Sequence, residues 1–235
     1  MRTFFVWAIG DDEVGGAIRA GLEREGVDVS ELVTIRGARS PQSCVLVGRG
    51  GTRAIAAFPG TLPPLDLTPR AVELCRDAAW VHVDHVGYAA APSGVRLSID
   101  GGNPIPDLRP DGVALYAPTE SALREAFPGG AEEALSAGIE MVVVTRGSGG
   151  SAAWTEPGRV IELQAHGGDV VSTLGAGDVF HGALLAQLVR DVPLREALLA
   201  ANVCAAVSCR ALDARSAIPT AEELEQEVAP FIASR

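Results

Sequence analysis

The sequence contains no lysine, so all 19 of its basic residues are arginines. That absence excludes Schiff-base chemistry and any phosphate loop built around a lysine ammonium. If this chain handles phosphate, it must do so with backbone N–H groups, helix dipoles, arginine or a metal ion. Basic charge is scarce overall: 30 acidic residues give a formal net charge of −11. Such a surface serves solubility and argues against nucleic acid or an anionic membrane as partner. Long apolar runs are missing too, none approaching the roughly 18 residues of a membrane span. Four cysteines, Cys44, Cys75, Cys204 and Cys209, form no CxxC pair. Cys204 and Cys209 fall in an Ala-rich helical stretch, where a buried thiol is the ordinary reading. The opening MRTFFVWAIGDDEVGG lacks the small-residue cleavage site of a secretory signal, so a reducing cytoplasm is the expected compartment. No GxGxxG follows the first apolar segment, which removes support for a dinucleotide oxidoreductase.

What is present fits one α/β domain. With 235 residues, 47% of them hydrophobic, the chain can bury one substantial core but not two large ones. Thr3–Ile9 reads as a buried strand, and Val14, Ile18 and Leu22 mark a helix face that Gly26 ends. Ser43–Val47 and Arg53–Phe58, joined by a Gly48–Thr52 turn, read as an antiparallel hairpin attached to the main sheet. Trp80–Asp84, Val95–Asp100, Val113–Tyr116 and Met141–Thr145 are short, continuously apolar strands of the kind found in parallel sheets covered on both faces. Helices are expected over Thr119–Phe127, Ala131–Ala137, Val179–Arg190, Leu194–Cys209 and Thr220–Phe231, the last opened by the capping box T-A-E-E. The ten-residue gap between Asp84 and Val95 is at the lower limit for a helical crossover.

The stretch Asp169–Leu184, D-V-V-S-T-L-G-A-G-D-V-F-H-G-A-L, carries the chemistry. A strand-like D-V-V leads into a glycine turn and then an amphipathic helix. Gly175 and Gly177 allow a tight turn that exposes successive N–H groups, and with the positive end of the helix these form an anion site. Asp178 sits in the first helical turn beside it. As a helix-start residue it would stabilise the dipole by a few tenths of a kcal/mol; as a general base it would contribute roughly 10²–10⁴ in rate. The residues alone leave both roles open.

The string T-L-G-A-G-D-x-F-x-G-A resembles the second signature of the ribokinase-like (PfkB) carbohydrate kinases. Gly10-Asp11-Asp12-x-x-Gly15 with L-E-R-E-G-V-D-V-S, Gly51–Gly60, Val143-Val144-Thr145-Arg146-Gly147-x-x-Gly150 and Ile218-Pro219-Thr220 resemble further segments of that family. The resemblance implies a three-layer α/β sandwich with a mostly parallel central sheet. It implies one kinase domain over residues 1–235 into which a small β lid, about residues 33–62, is inserted. It implies transfer of the γ-phosphoryl of Mg²⁺-ATP to a sugar hydroxymethyl group. Asp178 is then the catalytic base and the amides of Gly175, Ala176 and Gly177 the anion hole. Thr145, Gly147 and Gly150 lie by the nucleotide, Asn202 near adenine, Asp11 and Asp12 on the substrate side, and Glu120 in A-P-T-E at the magnesium. Exposed lid strands imply a homodimer by sheet pairing. The D-V-F-H-G-A-L spelling is most similar to the ketohexokinase and sulfofructose-kinase branch.

The chain departs from the pattern at four places. The family's first strand, first lid segment and GGxxxN helix have no counterpart, so the acceptor site and lid are expected to be incomplete. Ser172 replaces an aspartate that helps several relatives hold a monovalent cation, which argues against potassium activation. Ala117 replaces the asparagine of NxxE, and the Ala211–Ala217 loop lacks the family's glycines. These departures support an alternative, a non-catalytic nucleotide-binding relative. Outside the motif, His82, Asp84 and His85 could suggest a zinc cluster, but a substrate-side role at a strand end is the better reading. Asp100 in DGGNP is expected to line a cleft, His181 to face that cleft or pack, and Arg146 to meet phosphate or solvent.

Overall fold

The computed structural model describes residues 1–47, 53–213 and 215–233; the expected Gly48–Thr52 turn lies outside them. The chain divides into two compact units, Met1–Asp77 and Ala78–Arg235.

In the first unit, β1 (Trp7–Gly10) leads into α1 (Glu13–Arg24), followed by β2 (Leu32–Ile35), β3 (Gln42–Val47), β4 (Arg53–Phe58) and α2 (Pro69–Asp77). β1 is shorter than the apolar run suggested; Phe4 makes only an isolated bridge to Asp28. β1 and β2 pair in parallel, Trp7 opposite Leu32 and Gly10 opposite Ile35. Asp12 caps α1 by accepting from the Gly15 N–H at 2.8 Å, and Gly26, at φ +72°, takes the left-handed turn after it. Ile18 and Leu22 of α1 pack on a core of Ile9, Val29 and Leu32. The β3–β4 hairpin is fully antiparallel, from Gln42 opposite Phe58 to Val47 opposite Arg53. It forms its own two-stranded sheet instead of joining a larger one, because no third strand bonds to either edge among the described residues. Leu46 and Ile55 on it are exposed.

The second unit holds β5 (Val81–Val83), β6 (Leu97–Gly101), β7 (Val113–Pro118), α3 (Glu120–Ala126), α4 (Ala131–Ser136) and β8 (Val142–Thr145). β9 (Ser151–Glu156), β10 (Arg159–Leu163), α5 (Ala176–Leu188), α6 (Leu194–Ser208) and α7 (Ala221–Ala233) complete it. Its sheet has the order β10-β9-β8-β7-β6-β5, parallel from β5 to β8 and antiparallel at β9 and β10. Side chains alternate across it. Ile99, Tyr116, Val142 and Val144 face Leu123 and Phe127 of α3 and its C-cap, with Ala131 and Ala134 of α4. Leu115, Ala117, Val143 and Ala153 face Phe180 and Leu184 of α5 and Ala197, Leu198 and Ala201 of α6. Three layers result, and β7 is buried along its whole length because both faces are covered.

The short connection after Asp84 needs no α-helix. A 3₁₀ turn at Tyr88–Ala90 suffices to link the adjacent parallel strands β5 and β6. D-V-V before the glycine turn is not a strand. Its Val171 and Ser172 N–H groups donate to the Cys209 carbonyl after α6 instead of to a strand. The following helix starts at Ala176, so Asp178 stands in its first turn as the glycine-turn reading expects. Thr220 and Glu223 form the expected capping box, with the Thr220 N–H donating to Glu223 Oε2 at 2.7 Å. Among the described residues, no helix is long and apolar enough to cross a membrane.

Leu184 is fully buried between α5 and the sheet. Leu184→Ala is expected to lower the unfolding free energy by about 2–5 kcal/mol in urea titrations; a change under ~1 kcal/mol would mean that this layer is not packed as described.

Candidate active site

In the second unit the carboxyl ends of the parallel strands gather the polar residues, as α/β sheets commonly do. Asp84 follows β5, Asp100 is the penultimate residue of β6, Glu120 follows β7 and Thr145 ends β8. Thr119 and Thr145 make a parallel bridge there.

The turn into α5 is built on Gly175, the N-cap, at φ +71° and ψ +2°. This left-handed conformation is disfavoured for residues with a Cβ. Ala176 N–H closes the turn weakly on the Thr173 carbonyl at 3.3 Å, and Val179 N–H bonds the Gly175 carbonyl. The N–H groups of Gly175, Gly177 and Asp178 have no backbone partner among the described residues. A Cβ on Gly177 would meet nothing within 4 Å, so the turn is uncrowded on that side. The open amides therefore differ from the expected Gly175, Ala176 and Gly177 set. They lie at the positive end of the α5 dipole, which suits an anion.

Asp178 sits in the first turn of α5, exposed to solvent, and borders a cavity of about 930 Å³ between α5, α6 and α7. Surrounding protein raises its pKa above the ordinary aspartate value. Asp100 and Asp84 push the same way and His181 opposes them; exposure lets water screen these effects. Behind it, the His181 side chain is only 6% exposed, with Nδ1 3.2 Å from Asp100 Oδ2. Burial works to raise Asp100, but the His181 contact and the Gly102 N–H leave its carboxyl below the usual range. His82 Nδ1 is 3.0 Å from Ser98 Oγ, and its ring stands edge-on to His181 at 5.7 Å.

The β8–β9 connection brings Thr145, Gly147 and Gly150 together with Asn202. Arg146 N–H donates to the Gly150 carbonyl at 2.9 Å, closing the loop. Gly150 is obligatory, since a Cβ would lie 2.1 Å from the Leu163 carbonyl oxygen. Asn202, buried on α6, donates from Nδ2 to Ser151 Oγ at 3.0 Å and so abuts this loop. Glu120, half-exposed, lies 3.6 Å from Arg146 Nε, and Arg146 Nη1 lies 2.9 Å from Glu162. Arg146 is thus an ion-paired residue spanning two acids, a contact that its position in the sequence did not reveal. One carboxylate with phosphate oxygens and waters is an ordinary Mg²⁺ site, so Glu120 fits that ion chemically. No group of three metal-ligating side chains occurs among the described residues, which leaves the His82/Asp84/His85 zinc reading unsupported.

Asp11 and Asp12 belong to the first unit. Asp12 is used structurally: Ser40 Oγ donates to Oδ1 at 2.7 Å and Ser40 N–H to Oδ2 at 2.9 Å. The Ser40 hydroxyl, then the Gly15 and Ser40 amides, hold its carboxyl below the ordinary range. Asp11 Oδ1 accepts from the Gly37 N–H at 2.8 Å.

Residues 125–221, which include Asp178, match the model of the pfkB family carbohydrate kinases. The ATP-dependent ribose-1-phosphate kinase of Halopiger xanaduensis is 28% identical over 98% of this chain and 80% of its own length. Ribokinase of Arabidopsis thaliana, solved with ribose and ATP, superposes with a TM-score of 0.83 at 23% identity, covering 97% of this chain and 82% of that one. An E. coli protein assigned as ribokinase II, solved with ATP and Mg²⁺, gives a TM-score of 0.80 at 17% identity, covering 98% and 84%. The fold is that of the ribokinases, an α/β sandwich with a mostly parallel central sheet.

His82 yields a pH prediction. Burial, reinforced by His181, pushes its pKa from 6.5 down to about 4, against the opposing pull of Asp100 and Asp84. As pH falls from 6.5 towards 4, the unfolded chain takes up a proton that the folded chain refuses, so this residue's contribution to stability declines across that window. His82 is an exposed residue by its surface, so water screens the effect and limits its size, and the sign is diagnostic. Urea midpoints of wild type should fall more steeply between pH 6.5 and 4 than those of His82→Gln; parallel curves would contradict the assignment.

Proposed function

On the match of residues 125–221 to the pfkB family of carbohydrate kinases, we propose that the chain is a kinase of that kind and transfers the γ-phosphoryl group of ATP to a hydroxymethyl group of a sugar, with Asp178 as general base. The observation that carries this reading is the set of open amides at Gly175, Gly177 and Asp178, aligned with the α5 dipole next to one carboxylate. A transferring phosphoryl group is the anion such a pocket suits, and the chain has no lysine to take that place. The acceptor oxygen attacks in line, its proton passes to an Asp178 carboxylate oxygen, and the amides hold charge on the phosphoryl oxygens. The raised pKa of Asp178 brings its basicity nearer to working pH than that of an ordinary aspartate.

Thr145, Gly147 and Gly150, with Asn202 packed beside them, form the nucleotide side in this reading. Mg²⁺, held through Glu120, would neutralise phosphate charge when bound. Arg146, tied to Glu120 and Glu162, orients that carboxylate. The D-V-F-H-G-A-L spelling favours a ketose of the ketohexokinase and sulfofructose-kinase kind as acceptor. A second reading, nucleotide binding without transfer, draws on Ala117, Ser172 and the commitment of Glu120 to an arginine.

One experiment addresses both. Wild type and Asp178→Asn are assayed for ADP release with Mg²⁺-ATP across a panel of ketoses, aldoses and sugar phosphates, alongside calorimetric ATP binding. The base assignment predicts retained ATP binding and a turnover loss of at least roughly 10²-fold in the variant. Equal turnover refutes it, and binding without turnover in wild type establishes the second reading.

A further inference from the structure

The wall behind Asp178 contains an imidazole that packing alone does not explain. His181 lies three residues after Asp178 on α5, so both project from the same side of the helix. Its side chain is 94% buried by difference from the 6% exposure, yet neither ring nitrogen makes an aligned hydrogen bond within the protein. Nδ1 is instead 3.2 Å from Asp100 Oδ2, an ion-pair distance in an off-line geometry, and the ring is edge-on to His82 at 5.7 Å and to Phe180 at 5.9 Å. Buried polar atoms left like this are rare where an apolar side chain would fill the same space. The titratable groups facing Asp178 are Asp100 from β6, Asp84 beyond β5 and His181 from its own helix; His82 on β5 faces His181 in turn. Three carboxylates therefore share one corner, and each ionised one opposes the others.

We propose that His181 is a positioning residue for Asp178: clamped against Asp100, its ring supplies the positive charge that lets these carboxylates coexist and keeps Asp178 ionised to receive a proton. The inference rests on the reading of Asp178 as the base. The coupling itself is a property of the folded chain, independent of any substrate. Charge interaction is mutual, so removing either carboxylate must make an imidazolium at His181 easier to deprotonate. Removing His181 must in turn relieve His82, which His181 depresses.

The chain has only four histidines, His82, His85, His166 and His181, so each imidazole can be assigned by substitution and titrated by proton–carbon NMR. In Asp100→Asn and in Asp178→Asn, the His181 midpoint should fall by about half a pH unit or more; in His181→Gln the His82 midpoint should rise. His166 should stay unmoved throughout. An unchanged His181 midpoint in both aspartate variants overturns the proposal. Asp178 is exposed, so its variant keeps the test open if Asp100→Asn fails to fold. No turnover is needed: a chain that transfers no phosphate but shows these shifts refutes the kinase reading and leaves the coupling standing. If sugar transfer is observed, the acidic limb of kcat/KM should move up in His181→Gln and down in Asp100→Asn. A uniform loss at every pH would mark a merely structural role and overturn the proposal.

Discussion

The site depends on how one helix begins. Every α-helix leaves its first N–H groups without intrahelical partners, and something must satisfy them. At four of the seven helix starts among the described residues a side chain does so, Asp12 for α1, Thr68 for α2, Thr119 for α3 and Thr220 for α7, while α4 and α6 begin at Gly130 and Pro193 without one. α5 has no such cap. Gly175 takes the left-handed conformation, no side chain bonds back, and donors stay open at the end of a 13-residue helix. In a chain without lysine, those donors and the helix dipole are the available means of drawing in a phosphate, apart from arginine or a metal ion.

The rest of the second unit keeps that helix end in place. Phe180 and Leu184 bury one side of α5 against Leu115, Ala117, Val143 and Ala153, and α6 packs alongside. Phe180 and Leu184 each contribute about 1.5–3 kcal/mol on burial. The same sheet delivers Asp100, Glu120 and Thr145 at the carboxyl ends of its strands. Rigid packing and reactive residues are thus two ends of the same elements, and the position of Asp178 is inherited from a core it does not belong to.

Much of this was legible in the sequence because it is local. The T-L-G-A-G-D string specifies a turn and a helix start within a few residues, and the α1, α6 and α7 patterns needed only 3.6-residue periodicity. β9, β10, β2 and α2 were not read. S-A-A-W-T-E and R-V-I-E-L present small or alternating residues whose burial is decided by the strand beside them, and L-V-T-I is too short to carry a period. D-V-V looks like a strand by composition and is not one: its Val171 and Ser172 N–H groups are taken by the single Cys209 carbonyl, far along the chain. His181 with Asp100, and Arg146 with Glu120 and Glu162, join residues far apart in sequence. Only the i, i+3 spacing of Asp178 and His181 hinted at the first, and nothing hinted at the second.

In the proposed reading, the open amides at the start of α5 hold the phosphate chain of a nucleotide. Backbone amide NMR on the labelled protein, titrated with a non-hydrolysable ATP analogue and Mg²⁺, tests it without any sugar. The Gly175, Gly177 and Asp178 amide resonances are expected to move downfield together and saturate with the analogue. Saturable binding that shifts other residues and leaves these three amides where they were would contradict it.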